Sequence, residues 1–195
     1  MNKLTIALVF LVFAVPITLS YVLYLSGWRP EGTANHGELV QPPRAIQDVR
    51  LETLEGAPIR FADLRRKWAL VYFGSAECLA PCERNLYKMR QIQLAQGKHA
   101  DRVQRLFILT DTRAVHRLRA LLEGYPGMRV IAGPTENVGA LARQFALPVG
   151  TPLDGLDRVY VVDPAGNWMM TYPVDADPSG MRKDLKRLLK VSQIG

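Results

Sequence analysis

The stretch WALVYFGSAECLAPCERNLYKM, residues 68–89, joins an apolar run to a helical pattern and carries both cysteines of the 195-residue chain, Cys78 and Cys82. WALVYFG is short and rich in strand-forming residues, which is typical of a central strand buried on both faces. Leu86 and Met89 then recur at helical spacing. The sequence therefore predicts that both cysteines lie at a strand-to-helix junction.

Working outward from this junction, the chain alternates strands with helices. We predict a hairpin over 49–61, strands over 103–111 and 128–133, helices over 112–124 and 134–147, a second hairpin over 157–173 and a last helix over 178–191. Such an order is expected for an α/β sandwich whose central strands are parallel. The sequence predicts a thioredoxin-like α/β sandwich with an N-terminal β-hairpin, preceded by a single transmembrane helix.

The transmembrane prediction comes from residues 4–25, which contain no charged residue. At about 1.5 Å per residue, a helix of this length reaches the ~30 Å of a bilayer core. Tyr21, Tyr24 and Trp28 cluster at its far end, as interfacial aromatic residues do. A cleaved signal peptide is the alternative, but its apolar region is usually only about 7–15 residues long and ends at small residues. We predict an uncleaved anchor over residues 1–28.

The segment after the anchor, residues 29–46, is rich in proline, glycine and polar residues without a sustained period. This composition predicts a flexible tether between the membrane and a folded domain over 47–195. Lys3 precedes the anchor, whereas Arg29 and Arg44 follow it. Charge alone therefore does not decide the orientation in the membrane.

The formal net charge of +7 is compatible with an anionic partner. No basic stretch interleaved with aromatic residues accompanies it, so we expect no nucleic-acid binding. Two basic clusters, residues 65–67 and the polar side of the helix at 178–191, are candidates for contact with anionic lipid or an acidic protein.

Cys78 and Cys82 have three possible uses. Four residues apart at a helix start, they can form a disulfide, and Pro81 favours placing Cys82 in the first helical turn. The helix dipole would stabilise a thiolate there, and two thiolates suit Cu(I) better than zinc. Alternatively, both are small buried hydrophobic residues. We expect Cys78, in the loop, to be the more exposed cysteine and the better nucleophile.

The chain resembles the Sco/SenC family of membrane-anchored copper chaperones and thiol oxidoreductases that serve assembly of cytochrome c oxidase. The resemblance lies in FADLRRKWALVYFG at 61–74, FGSAECLAPCERNLYKM at 73–89 and YVVDPAGNWMMTY at 160–172. It implies that Cys78 and Cys82 are the catalytic residues, the Cu(I) ligands, or both. It also implies a single-pass inner-membrane protein with its domain on the periplasmic or intermembrane-space side. The implied partner is a cytochrome c oxidase subunit or another copper or thiol protein.

The sequence departs from the family at the third copper ligand. The family has a histidine before its penultimate strand, and aligning this region puts Asp154 and Gly155 there. Glycine has no side chain that binds copper. His36, His99 and His116 are expected in the tether, in a loop and on a helix surface respectively. A family-type copper centre therefore lacks one ligand.

We retain three functional hypotheses. The preferred one is an oxidase assembly factor that uses Cys78 and Cys82 in thiol–disulfide exchange, in Cu(I) handling, or in both. Whether the protein is an enzyme, as a thiol–disulfide oxidoreductase would be, stays open at this point. The first alternative is a non-catalytic scaffold on a degenerate thioredoxin-like fold. The second is a thiol peroxidase, for which Ser75 would replace the threonine that lies three residues before the nucleophile in peroxiredoxins.

Overall fold

The structure is a computed structural model that describes residues 2–27 and 35–192. It divides into two compact units, residues 1–34 and residues 35–195. In the first unit, helix α1 spans Lys3–Leu25 and contains Pro16. Among the described residues, α1 alone is long and apolar enough to cross a membrane. Tyr21 and Tyr24 lie in its last turns, whereas Trp28 lies outside the described residues.

The second unit is built on one eight-stranded sheet in the order β1-β8-β7-β4-β5-β6-β2-β3. The strands are β1 (Glu38–Ala45), β2 (Arg50–Thr53), β3 (Pro58–Arg60), β4 (Trp68–Ser75), β5 (Val103–Asp111), β6 (Met128–Ala132), β7 (Val159–Val162) and β8 (Asn167–Tyr172). Strands β4, β5 and β6 are parallel, and β7 runs antiparallel to β4. The predicted parallel centre and both predicted hairpins are confirmed.

Helices cover both faces of the sheet. They are α2 (Ala80–Leu94), α3 (Val115–Leu122), α4 (Thr135–Gln144) and α5 (Pro178–Val191). Residues of α2, α3 and α5 share one hydrophobic cluster with the first face of β4. Residues of α4 pack in a second cluster on the opposite face. Because both faces are covered, β4 is apolar along nearly its whole length, as its sequence predicts.

The expected tether differs from the structure. We predicted residues 29–46 to lack regular structure, but Glu38–Ala45 form β1, which pairs with β8 at the edge of the sheet. Sequence reasoning missed this strand because it contains two prolines, at 42 and 43, and proline is disfavoured in strands. Both prolines lie where the pairing register is interrupted, between Leu39 and Arg44. Proline is tolerated on an edge strand because a missing N–H breaks no ladder there.

The amino-terminal end of β1 is held by a buried carboxylate in α5. Asp184 is 1% exposed. Its Oδ2 accepts hydrogen bonds from the backbone N–H of His36 at 2.7 Å, from Gly37 at 3.1 Å and from the Tyr172 hydroxyl at 2.9 Å. The Nδ1 atom of His36 lies 3.1 Å from Oδ1. His36, which we expected in the tether, thus ties the start of the sheet to the last helix.

Candidate functional site

The two cysteines lie at the carboxyl end of the central strand. The loop after β4 is tied to the end of β5, since the N–H of Ala76 donates to the Asp111 carbonyl at 2.9 Å. Cys78 follows in that loop with a positive φ of 41°, and Cys82 lies in the first turn of α2 after Pro81. The predicted strand-to-helix junction is where the structure places both residues.

Cys78 and Cys82 form a disulfide, with their Cα atoms 5.1 Å apart. The left-handed backbone at Cys78 brings the loop back toward the first turn of the helix, so that the two sulfurs meet. After reduction, the N-terminal end of α2 stabilises negative charge on a sulfur in this position. The pair therefore fits two-electron thiol–disulfide chemistry.

The expected difference in exposure is wrong. Cys78 is 4% exposed and Cys82 is 5% exposed, because the same loop packs both against the core. They differ instead in their access to a cavity. Cys82 lines a cavity of ≈ 230 Å³, and Cys78 is not among its lining residues. Cys82 is therefore the cysteine that borders the cavity.

The cavity lies between the end of β4 and the loop that precedes β7. Besides Cys82 it is lined by Tyr72 to Ser75, Leu79, Pro81, Thr110, Pro152, Leu153 and Gly155 to Asp157. Leu79 is 67% exposed and Leu153 is 47% exposed. The mouth of the cavity is therefore flanked by apolar side chains, which are typical of a contact surface for another protein rather than for a small ion.

Two buried polar side chains fix this loop beside the cysteines. The Tyr72 hydroxyl donates to Oδ1 of Asp157 at 2.7 Å, and Nδ2 of Asn85 donates to the Asp157 carbonyl at 3.2 Å. Burial, followed by the hydrogen bond to Asp157, raises the pKa of Tyr72. Tyr72 thus stays protonated and keeps donating. Sequence reasoning missed all three residues, because Tyr72 and Asn85 resemble ordinary core and helix positions.

Asp154 and Gly155, the two loop residues suggested by the family alignment, lie in different surroundings. Gly155 lines the cavity, whereas Asp154 does not. Oδ2 of Asp154 accepts hydrogen bonds from the Thr151 N–H at 2.7 Å and from the Thr151 hydroxyl at 2.9 Å, which lower the pKa of Asp154. Asp154 therefore caps its own turn, and Asp157 is the carboxylate that faces the cysteine site.

Known proteins resemble this chain in sequence and in fold. Residues 68–192 match the family model described as transmembrane-like, thioredoxin-like, C-terminal domain. The chain belongs to this family. Over 121 residues it is also 29% identical to the mitochondrial SCO2 homolog of Mus musculus, covering 60% of this chain and 48% of that protein. The match thus spans about half the length of that relative. The family model and this relative confirm the resemblance to the Sco/SenC family.

Solved structures of Sco proteins share the fold of this chain. Copper-bound yeast Sco1 superposes with a TM-score of 0.66 at 18% identity, covering 78% of this chain and 96% of that one. BsSco, described as a Sco family member with a disulfide switch, gives 0.60 at 13% identity, covering 80% and 100%. Copper-bound ScoI of Bradyrhizobium japonicum gives 0.58 at 19%, covering 73% and 98%.

The residues around the cavity do not fit a three-ligand copper centre. His36 pairs with Asp184, His99 lies in a 3₁₀ segment after α2, and His116 is exposed on α3. None of the three lines the cavity. Among residues 2–27 and 35–192, no group of three metal-ligating side chains converges. After reduction, Cys78 and Cys82 are the only soft donors among the described residues at this site.

Proposed function

We propose that this protein is a membrane-anchored Sco-like assembly factor for cytochrome c oxidase, and that Cys78 and Cys82 act in thiol–disulfide exchange. The observation that carries the proposal is the disulfide at the start of α2 with Cys82 open to a cavity. It is supported by the relatives, since BsSco is described as a member of the Sco family of cytochrome c oxidase assembly proteins with a disulfide switch.

The proposed reaction is reduction of a disulfide in a partner protein. A dithiol donor first reduces the Cys78–Cys82 disulfide and is itself oxidised to a disulfide. The Cys82 thiolate then attacks one sulfur of the partner disulfide, and the other partner sulfur leaves as a thiolate. The Cys78 thiolate then attacks Sγ of Cys82, which re-forms the disulfide seen here and releases the partner as a dithiol. Two electrons pass to the partner, which takes up two protons as its thiolates become thiols.

The proposed partner is a protein with a thiol or copper site, such as an oxidase subunit. The apolar rim formed by Leu79 and Leu153 supports contact with a protein surface. The disulfide supports a location on the periplasmic or intermembrane-space side of the inner membrane, because disulfides persist in oxidising compartments. Helix α1 supplies a single apolar span compatible with that location.

The cellular test is restoration of oxidase activity in cells that lack this protein. We expect the wild-type chain to restore activity and the double variant Cys78→Ser, Cys82→Ser to restore none, because the variant cannot exchange electrons. Ser75→Ala is the matched control, since Ser75 lines the same cavity without redox chemistry. Full oxidase activity with the double variant would exclude the proposal and favour a scaffold.

Copper handling follows as a weaker second activity, because two thiolates provide only two of the ligands expected for a family-type site. Gly155→His should supply the third and tighten Cu(I) binding by at least about tenfold, in line with the effects of altering metal ligand shells. A Cβ atom at position 155 would have no neighbouring atom within 4 Å, so a side chain has space there. The φ of Gly155 is 76°, and a side chain on such a left-handed backbone costs about 1–2 kcal/mol.

A Cu(I) competition titration on the reduced protein measures this effect. Gly56→His is the matched control, because Gly56 also has a positive φ of 82° and open space but lies in the β2–β3 turn. Equal affinities for the two histidine variants would mean that position 155 does not face the cysteines in solution.

A further inference from the structure

Helix α5 carries five basic side chains on its exposed face, which we call the α5 basic face: Arg182, Lys183, Lys186, Arg187 and Lys190. The acidic residue of the helix, Asp184, is buried and engaged by His36, Gly37 and Tyr172. The carboxylate of Asp184 therefore lies on the core side of α5, away from the basic face, whereas the N-cap residue Asp177 interacts electrostatically with Lys183. Helix C-termini favour cations, but only within the last turn, which does not account for Arg182 and Lys183.

An apolar side chain and a basic cavity adjoin the carboxyl-terminal half of this face. Val191, the last residue of α5, is 84% exposed. A cavity of ≈ 490 Å³ between α5 and residues 95–102 is lined by Lys186 and Lys190, among others. Basic side chains beside exposed apolar ones are the combination found on segments that lie at a lipid interface.

A second, mainly apolar cavity of ≈ 390 Å³ opens on the other side of the same helix end. Val191 lines it together with Trp68 and Met169, and Asn35 lies there as well. Asn35 is the first described residue of the second unit, so the chain arriving from α1 enters the domain beside α5.

We propose that the α5 basic face is a docking surface for a membrane that contains anionic phospholipid. The basic face supplies charge complementarity with phosphate headgroups, and Val191 supplies apolar contact at the headgroup level. A lipid surface is favoured over an acidic protein because α1 is a candidate membrane span. The anchor proposed above would keep the domain close to lipid, where tethering raises the effective concentration of even a weak contact.

Docking through this face gives the domain a defined orientation. Trp68 begins β4 near the carboxyl end of α5, whereas the cysteines follow the other end of β4. An eight-residue strand spans about 25 Å. A domain docked through the carboxyl half of α5 therefore holds the cysteine cavity away from the headgroups and open to a partner.

The test uses the full chain in nanodiscs of phosphatidylcholine, mixed with sedimenting vesicles. We expect little co-sedimentation with phosphatidylcholine vesicles and strong co-sedimentation when about one-third of the lipid is phosphatidylglycerol, reversed by high salt. The triple variant Lys183→Gln, Lys186→Gln, Lys190→Gln should bind the anionic vesicles about 100-fold more weakly, since each basic residue at such a surface contributes about fivefold.

The matched control carries Arg50→Gln, Arg117→Gln and Arg143→Gln, which remove the same charge at exposed positions outside α5. It should retain vesicle binding. Equal binding of the wild type to neutral and anionic vesicles would overturn the proposal. An equal loss of vesicle binding in the two triple variants would also overturn it, because binding would then depend on net charge and not on the α5 basic face. Oxidase assembly is not measured, so the test is independent of the proposed redox function.

Discussion

Replacing Cys78 by serine should trap a partner protein on Cys82 as a mixed disulfide, whereas replacing Cys82 should trap none. Cys82 lines the cavity and is the sulfur that a partner reaches, while Cys78 is needed to release it. Without the Cys78 thiolate, the bond between Cys82 and the partner persists. Both variants should lose turnover with a disulfide substrate, down to the uncatalysed rate.

Non-reducing gel electrophoresis of the two reduced variants, incubated with a disulfide-containing membrane extract, measures the trapped adduct. Adding a reductant should abolish the adduct, and the double serine variant is the blank. The opposite pattern, with adducts on Cys78 alone, would mean that the partner approaches from the loop side and that the cavity is not the route of attack.

Replacing Asp184 by asparagine should lower the free energy of unfolding by about 3 kcal/mol, the low end of the range for breaking a buried charged contact. Three donors converge on Oδ2 of Asp184. An asparagine at this position can still accept these hydrogen bonds through its carbonyl oxygen, but it lacks the negative charge, and each hydrogen bond to a charged group is stronger by about 1 kcal/mol than one to a neutral group. Urea denaturation of the domain from Asn35 onward measures the change. Tyr172→Phe, which removes one of the donors, should cost only about 1 kcal/mol.

The same carboxylate predicts how stability depends on pH. Burial alone would raise the pKa of Asp184, but hydrogen bonds from His36, Gly37 and Tyr172 outweigh it and lower the pKa below its ordinary value. The stabilisation is therefore complete above the unfolded-state pKa of about 4 and is lost as the pH falls from there through the lowered folded-state pKa. In the Asp184→Asn variant, the free energy of unfolding should depend less on pH in this acid range. An unchanged pH dependence in the variant would mean that other carboxylates cause the loss of stability.

The sequence was informative wherever a local pattern decides the structure. The apolar run of β4 and the helical spacing after Cys82 are local signals, and both elements lie where they were expected. The joint position of the cysteines follows from these two elements alone. The proximity of Gly155 to Cys82 came from the family alignment, and the cavity lining agrees with it.

Contacts between residues distant in sequence were not accessible in this way. Asp184 looks like one more polar residue in a basic helix, and its burial depends on His36, 148 positions earlier. The choice of Asp157 over Asp154 depends on how the loop is held by Tyr72 and Asn85. The nearly equal burial of the two cysteines also depends on packing between distant residues, and a periodic pattern in the sequence does not predict it.

The contacts of His36 and Gly37 with Asp184 have a mechanical consequence. Tension on the chain from its amino-terminal side reaches these hydrogen bonds and the β1–β8 ladder before it reaches β4. The load is thus taken up at an edge of the sheet, and β8 and β7 separate this edge from β4, the strand that precedes the cysteines.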